Sequence, residues 1–281
     1  QDSVKVCQNF EKEGFANCIL KGQGNALLYP DPYMRTPGDI DIYLSGGRKK
    51  IMKYVNQVCP NQVMRYHHVD FPVMKTAIEV HFTPSYMFFP VHNSRMQKWF
   101  NDMMDLQCSN VADLPDGYGK INVPMVNFNV IYILSHMYRH IFSEGIGLRQ
   151  LLDYYFVVSK VNVDSVMCTS LHKELKHLGL WKFAGAVMYV LHKALGLPKE
   201  KMIAPMDEHE GRFLLDEIML GGNFGQYDDR LGSKDNEGKL HRYFRMNLRN
   251  LRFVKHYPSE ALSEPFFRTW FAIWKYINRT K

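Results

Sequence analysis

The 281-residue chain (32.9 kDa) is 46% hydrophobic and 22% charged, which excludes global disorder and supports buried cores for roughly one to two domains. Its 35 Lys and Arg against 28 Asp and Glu leave a net charge of +7, a bias toward anionic partners such as nucleotides or nucleic acid. No run approaches the ~18–20 apolar residues of a spanning helix, so no stable membrane insertion is expected. The scattered Cys7, Cys18, Cys59, Cys108 and Cys168 form no Cys-x-x-Cys, so a reducing, cytoplasmic setting is expected.

From Phe15 to about Pro84 the pattern is that of short strands and turns. Ala16 to Leu20 is a short apolar run, and Leu20 to Tyr29 reads as a strand end, a tight glycine turn and the start of a helix. Asp39 to Leu44 alternates acidic and apolar residues as a strand and ends at Ser45-Gly46-Gly47; Arg48 to Cys59 follows as a helix. Val63 to Val69 and Thr76 to Phe82 are β-rich runs around Pro72, expected to form an antiparallel hairpin. After about Pro90 the helical period dominates. Two helices between Asn127 and Val158 flank a loop at Ser143 to Gly147, and others span Asp164 to Leu178, Trp181 to Leu195 and Glu208 to Leu220. Gly221 to Gly238 reads as an exposed loop, and Lys239 to His256 and Glu264 to Asn278 as closing helices. The expected fold class is α+β, with strands and flanking helices in 1–90 and a mainly helical domain in 91–281.

Gly38-Asp39-Ile40-Asp41-Ile42-Tyr43-Leu44 is the sharpest motif. Residues two apart in a strand share a face, so Asp39 and Asp41 project together while Ile40 and Ile42 point into a core. Adjacent carboxylates repel unless a cation lies between them, and hard oxygen ligands suit Mg2+, with Mn2+ as the alternative. The competing reading is a strand with a polar outer face. Ala77-Ile78-Glu79-Val80-His81-Phe82 supplies a third acid on a second alternating strand. If the strands are neighbours, three carboxylates converge as in phosphoryl-transfer sites; otherwise Glu79 pairs with a cation such as Arg65. Lys21-Gly22-Gln23-Gly24 opens the predicted turn, where backbone amides suit phosphate, but it lacks both the third glycine of a dinucleotide fingerprint and the ending of a P-loop.

Together, Leu20-Lys21-Gly22, Tyr29-Pro30, Arg35, Gly38-Asp39-Ile40-Asp41 and Ile78-Glu79-Val80-His81 resemble the nucleotidyltransferase superfamily that includes DNA polymerase β. More narrowly the chain resembles a bacterial group of uncharacterised nucleotidyltransferases, a likeness that extends to Gly145-Ile146-Gly147-Leu148-Arg149-Gln150-Leu151-Leu152-Asp153. The resemblance implies a small mixed-sheet nucleotidyltransferase core in 1–90 and a helical domain in 91–281 that closes the cleft and selects the acceptor. It implies metal binding and catalysis by Asp39, Asp41 and Glu79, and nucleotide binding by Lys21, Gly22, Gln23, Gly24, Arg35 and Arg149. The implied reaction moves a nucleoside monophosphate from an NTP to a hydroxyl on a small molecule, sugar, protein or nucleic-acid end, with pyrophosphate leaving. Where the superfamily has serine after the turn glycine this chain has Gln23, and the alternative is a nucleotide- or nucleic-acid-binding module without turnover. The acceptor, preferred base and oligomeric state stay open.

Other candidates have plainer readings. His136 and His140 share a helix face but lack the glutamate of a zinc-protease motif, so packed histidines are expected. Arg149 and Asp153 stand at i, i+4 as an ion pair. His67 and His68 alternate faces, so at most one is expected to join the acids. Arg242, Arg245, Arg249 and Arg252 form a stripe opposite Leu240, Phe244, Leu248 and Leu251, expected as a solvated face, with a nucleic-acid track as the alternative. The Tyr154-Tyr155-Phe156 and Trp270-Phe271 clusters are expected in cores.

Overall fold

Alternation in two short segments sets the centre of the N-terminal fold. The computed structural model describes residues 1–36, 38–162, 165–222, 228 and 238–277. In chain order they form α1 (Asp2–Lys12), β1 (Asn17–Ile19), α2 (Gln23–Ala26), β2 (Ile40–Leu44), α3 (Gly47–Val58), β3 (His68–Asp70) and β4 (Ile78–His81). Then come α4 (Pro90–Gln107), β5 (Val111–Asp113), β6 (Lys120–Asn122), α5 (Val126–Ser143) and α6 (Leu148–Ser159). The remainder is α7 (Ser165–His177), α8 (Trp181–Leu195), α9 (Glu208–Gly221), α10 (Lys239–Val254) and α11 (Pro258–Ile277). The α+β class holds. The chain divides into two compact units, Gln1–Ser85 with Gln97–Tyr132, and Tyr86–Met96 with Ile133–Lys281.

In the first unit a four-stranded mixed sheet has the order β1-β2-β4-β3. β2 runs antiparallel to β1 and parallel to β4, and β3 runs antiparallel to β4. The parallel pair needs a long crossover, which α3 and β3 supply. Ile40, Ile42, Leu44, Ile78, Val80 and Val69 share one buried core with Val6 and Phe10 of α1 and Ile51 and Val55 of α3. By the two-residue period the other sheet face carries Asp41, Glu79, His81, His68 and Asp70.

The strand expected over Val63 to Val69 is shorter than its composition implied. Arg65 N–H donates to the His68 carbonyl at 2.9 Å and Met64 forms an isolated bridge with Val69, so the run folds back on itself and only His68–Asp70 joins the sheet. Beyond Pro90 the helical pattern is interrupted by the β5–β6 hairpin, whose Pro115-Asp116-Gly117 bend puts Asp116 at φ 55°. Asp-Gly is the local signal for that turn.

The second unit is helical. α8 is apolar on nearly every side and buried from Phe183 to Leu191, and α9 packs against it closely enough that a Cβ on Gly211 would lie 2.4 Å from Tyr189. Val126–Ser143 and Leu148–Ser159 are the two helices expected around the Ser143 to Gly147 loop. α11 begins at Pro258 and not Glu264, since proline fits a first helical position whose N–H has no partner. The stripe on α10 departs from expectation at its C-terminal end, while Arg242 is exposed as expected. Leu240, Phe244, Leu248 and Leu251 are exposed, Arg249 is buried, and Arg252 pairs with Asp228 at 3.2 Å and Glu217 at 3.4 Å. Trp270 is likewise exposed rather than core. Most of the expected Gly221 to Gly238 loop, and Asn278, lie outside the described residues. Among those described, no helix is long and apolar enough to cross a membrane.

Candidate active site

Asp41 sits mid-strand in β2, where alternation between Ile40 and Ile42 aims its side chain at the polar sheet face, yet it is only 1% exposed. A buried carboxylate needs compensation. Lys21 Nζ lies 3.0 Å from Asp41 Oδ1, and His81 Nε2 is also 3.0 Å from that oxygen. The Leu20 N–H donates to the Asp41 carbonyl at 2.9 Å, which fixes the end of β1 and brings the next residue, Lys21, to the acid. Gly22 then turns the chain at φ +60°, and a Cβ there would lie 3.3 Å from the Asp39 carbonyl oxygen. Glycine is thus required both by the left-handed backbone and by the close approach.

Glu79 is the direct register partner of Asp41 across the parallel β2–β4 pair. Its Oε2 lies 3.5 Å from His68 Nδ1 and 3.6 Å from His81 Nε2. Asp39 is half-buried just before β2, and the Ile40 N–H beside it donates to the Ala77 carbonyl at 2.8 Å.

The electrostatics follow from this packing. Burial opposes ionisation of Asp41, but the Lys21 ammonium and His81 hold its carboxyl well below the usual carboxylate range. Burial also opposes ionisation of Glu79, and His81 and His68 bring its pKa below the ordinary value. Asp39 is pushed up, first by burial and then by the charge of Asp41. Burial disfavours the His81 cation, yet its hydrogen bond to Asp41 and the nearby Glu79 carboxylate raise its pKa. His68, buried and beside His81, is pushed down to about 3.

The other predicted residues are placed as follows. Gln23 begins the single turn of α2, and its Oε1 is buried without a hydrogen-bond partner. Gly24 is buried, with the position of a Cβ 3.1 Å from the Ile19 carbonyl and 3.2 Å from Val123. Arg35 follows a 3-10 turn at Pro32–Met34 and donates to the Thr36 carbonyl at 3.4 Å. Arg149 is exposed on α6 in the second unit, while Asp153 on the same helix is buried. His136 and His140 are buried and packed ring to ring at 4.5 Å, with His140 Nδ1 3.2 Å from Glu144.

The histidines beside the acids exceed the sequence expectation. His68 lies on the polar face, but His67 precedes β3, is not bound by strand alternation, and places Nε2 3.2 Å from His68 Nδ1. Both therefore join the cluster. His81 carried a signal, since two residues after Glu79 it must share that residue's face.

The two carboxylates fit a hard divalent cation, with the His81 imidazole bordering them. Ligand atoms of Asp41, Glu79 and His81 lie within 4.8 Å of one another, and Asp41 Oδ2 is buried without a hydrogen-bond partner. Such an oxygen has lone pairs but no donor, an arrangement that a cation completes.

No curated protein matches this chain. A family profile does match it, over residues 1–196, which includes the sheet, all three acids, the Gly22 turn and the Arg149 segment. The chain therefore belongs to the uncharacterised nucleotidyltransferase family.

Proposed function

We propose that the chain transfers a nucleoside monophosphate from a nucleoside triphosphate to a hydroxyl acceptor, with Mg2+ as its cation and pyrophosphate as the leaving group. The observation that carries this reading is the register pairing of Asp41 and Glu79, which sets two carboxylates side by side on one polar face. Asp39, Asp41 and Glu79 hold the cation, Asp41 through the oxygen that has no protein partner. When bound, Mg2+ neutralises phosphate charge and favours departure of pyrophosphate.

The chain's own contribution is alignment and charge. Lys21 is 21% exposed, so its ammonium can reach from Asp41 to a phosphate oxygen without leaving the buried carboxylate far behind. The Gly22 turn presents backbone rather than side chain beside Asp39. Glu79, 28% exposed, is the acid best placed to accept the acceptor hydroxyl's proton. Arg35 is a further cation proposed for the triphosphate. The acceptor is a small molecule, a sugar, a protein side chain or a nucleic-acid end.

The test is thermal stability with each nucleoside triphosphate, with and without Mg2+, on the native chain and the Asp39→Asn/Asp41→Asn double variant. Nucleotide at 100 times its Kd adds about 2.7 kcal/mol to the folded state. A Mg2+-dependent rise absent from the double variant is expected; no rise with any nucleotide overturns the proposal. Binding without pyrophosphate release in the presence of candidate acceptors favours the module without turnover, to which Gln23 in place of serine points.

A further inference from the structure

Three buried imidazoles meet beside the acids and have no role in nucleotidyl transfer as proposed. His68 and His81 are direct partners across the antiparallel β3–β4 pair, so the ladder sets their side chains opposite each other on one face. His67, one residue before β3, folds its ring over the same place. Ring centroids are 4.4 Å apart for His67 and His68, and 5.2 Å apart for each of these with His81. A ligand nitrogen from each of the three lies within 4.8 Å of the other two.

We propose that His67, His68 and His81 form a nitrogen-donor site for a borderline divalent transition cation of the Zn2+ class, adjoining the hard-cation site of the carboxylates with His81 at the border of the two. Imidazole nitrogen suits Zn2+ and its neighbours, whereas Mg2+ takes oxygen. Tetrahedral donors at ~2.0–2.1 Å from zinc stand about 3.3 Å apart, and His67 Nε2 and His68 Nδ1, hydrogen-bonded to each other without metal, are already at 3.2 Å. His81 Nδ1 is buried without a hydrogen-bond partner. His81 meanwhile gives its Nε2 to Asp41, and metal-binding histidines use such a carboxylate to fix ring orientation. The scaffold is a sheet with an apolar core behind it, so little rearrangement is needed to gather the ligands.

The metal-free full chain is titrated with Zn2+ by calorimetry in the absence of nucleotide, and with Co2+ by visible and X-ray absorption. One equivalent of Zn2+ and a Co2+ shell containing three imidazoles are expected. His67→Asn and His68→Asn should each weaken Zn2+ binding more than ~10-fold. Asp39→Asn should leave it unchanged while removing the Mg2+-dependent nucleotide effect, which separates this site from the nucleotidyl-transfer reading. Absence of stoichiometric Zn2+ binding, fewer than three imidazoles around Co2+, or unchanged affinity in both histidine variants overturns the proposal. The spectra of the native chain decide the matter even if a histidine variant fails to fold.

Discussion

Asp41 on β2 and Glu79 on β4 are register partners across a parallel strand pair, and His81, two residues beyond Glu79, closes the triangle with a 3.0 Å contact to Asp41. The relationship ties the acids to the fold itself, because the same ladder that pairs Ile42 with Val80 in the core pairs the carboxylates on the opposite face. A slip of one residue would send the acids into the core.

Asp41→Asn is expected to lower Mg2+-dependent transfer by at least ~10²-fold, the scale seen when one electrostatic contact to a developing charge is removed. Asparagine keeps the volume, so the far-ultraviolet circular dichroism should stay native. Full activity in this variant would remove Asp41 from the mechanism.

Lys21→Met removes the ammonium from a carboxylate that is 1% exposed, leaving His81 as its remaining cationic partner at 3.0 Å. Urea unfolding at neutral pH should show a loss of about 1–3 kcal/mol, the cost of an under-satisfied buried polar group. Nucleotide stabilisation should fall with it if the same ammonium meets the phosphate as proposed.

Gly22→Ala puts a Cβ on a residue at φ +60° and 3.3 Å from the Asp39 carbonyl. A loss of about 1–2 kcal/mol is expected from the left-handed backbone, read as a lowered urea midpoint. The same substitution at Gly38, where a Cβ would meet nothing within 4 Å and φ is not positive, should cost less.

The two faces of the sheet should answer differently to mutation. Ile42→Ala, at a fully buried position, is expected to cost about 2–5 kcal/mol by cavity formation. Glu79→Gln should leave stability within about 1 kcal/mol while removing activity, because its side chain is 28% exposed and the amide still accepts a hydrogen bond. Parallel unfolding and transfer assays separate the two effects.

In the helical unit, buried Glu210 is surrounded by Lys182 Nζ at 3.0 Å, His256 Nδ1 at 2.9 Å and His209 Nδ1 at 3.1 Å. Burial opposes its charge, but Lys182 and the two histidines bring the pKa below the ordinary glutamate value. A carboxyl lowered in the folded state contributes stability that is fully present above its unfolded value, near ~4.3, and is lost as pH falls through the lower folded value. Unfolding free energies measured from pH 7 downward should therefore show a flatter acid limb in Glu210→Gln, with a neutral-pH loss of about 1–2 kcal/mol.

The acids and their strands were legible because alternation is local. Asp39 to Leu44 and Ile78 to His81 each declare their faces over a few residues, and Gly22 declares its turn. Helices such as Gly47–Val58 were legible for the same reason, through a 3.6-residue period. Other features depended on what the chain meets elsewhere. Val63 to Val69 has strand composition, but its end is spent on the Arg65–His68 bend. The α10 stripe gives an amphipathic pattern without saying which face is covered, and the structure buries Arg249 while leaving Leu248 exposed.

The sequence by itself determined which residues could share a face: Asp39 with Asp41, Glu79 with His81, and Ile40 with Ile42. Only the tertiary structure decided that β2 lies parallel to β4 with Asp41 opposite Glu79, and that His68 faces His81 from the next strand with His67 folded in beside it. Side-chain direction follows from the backbone period within one segment, whereas register between segments is set by loop closure and the shared core, which no single segment contains.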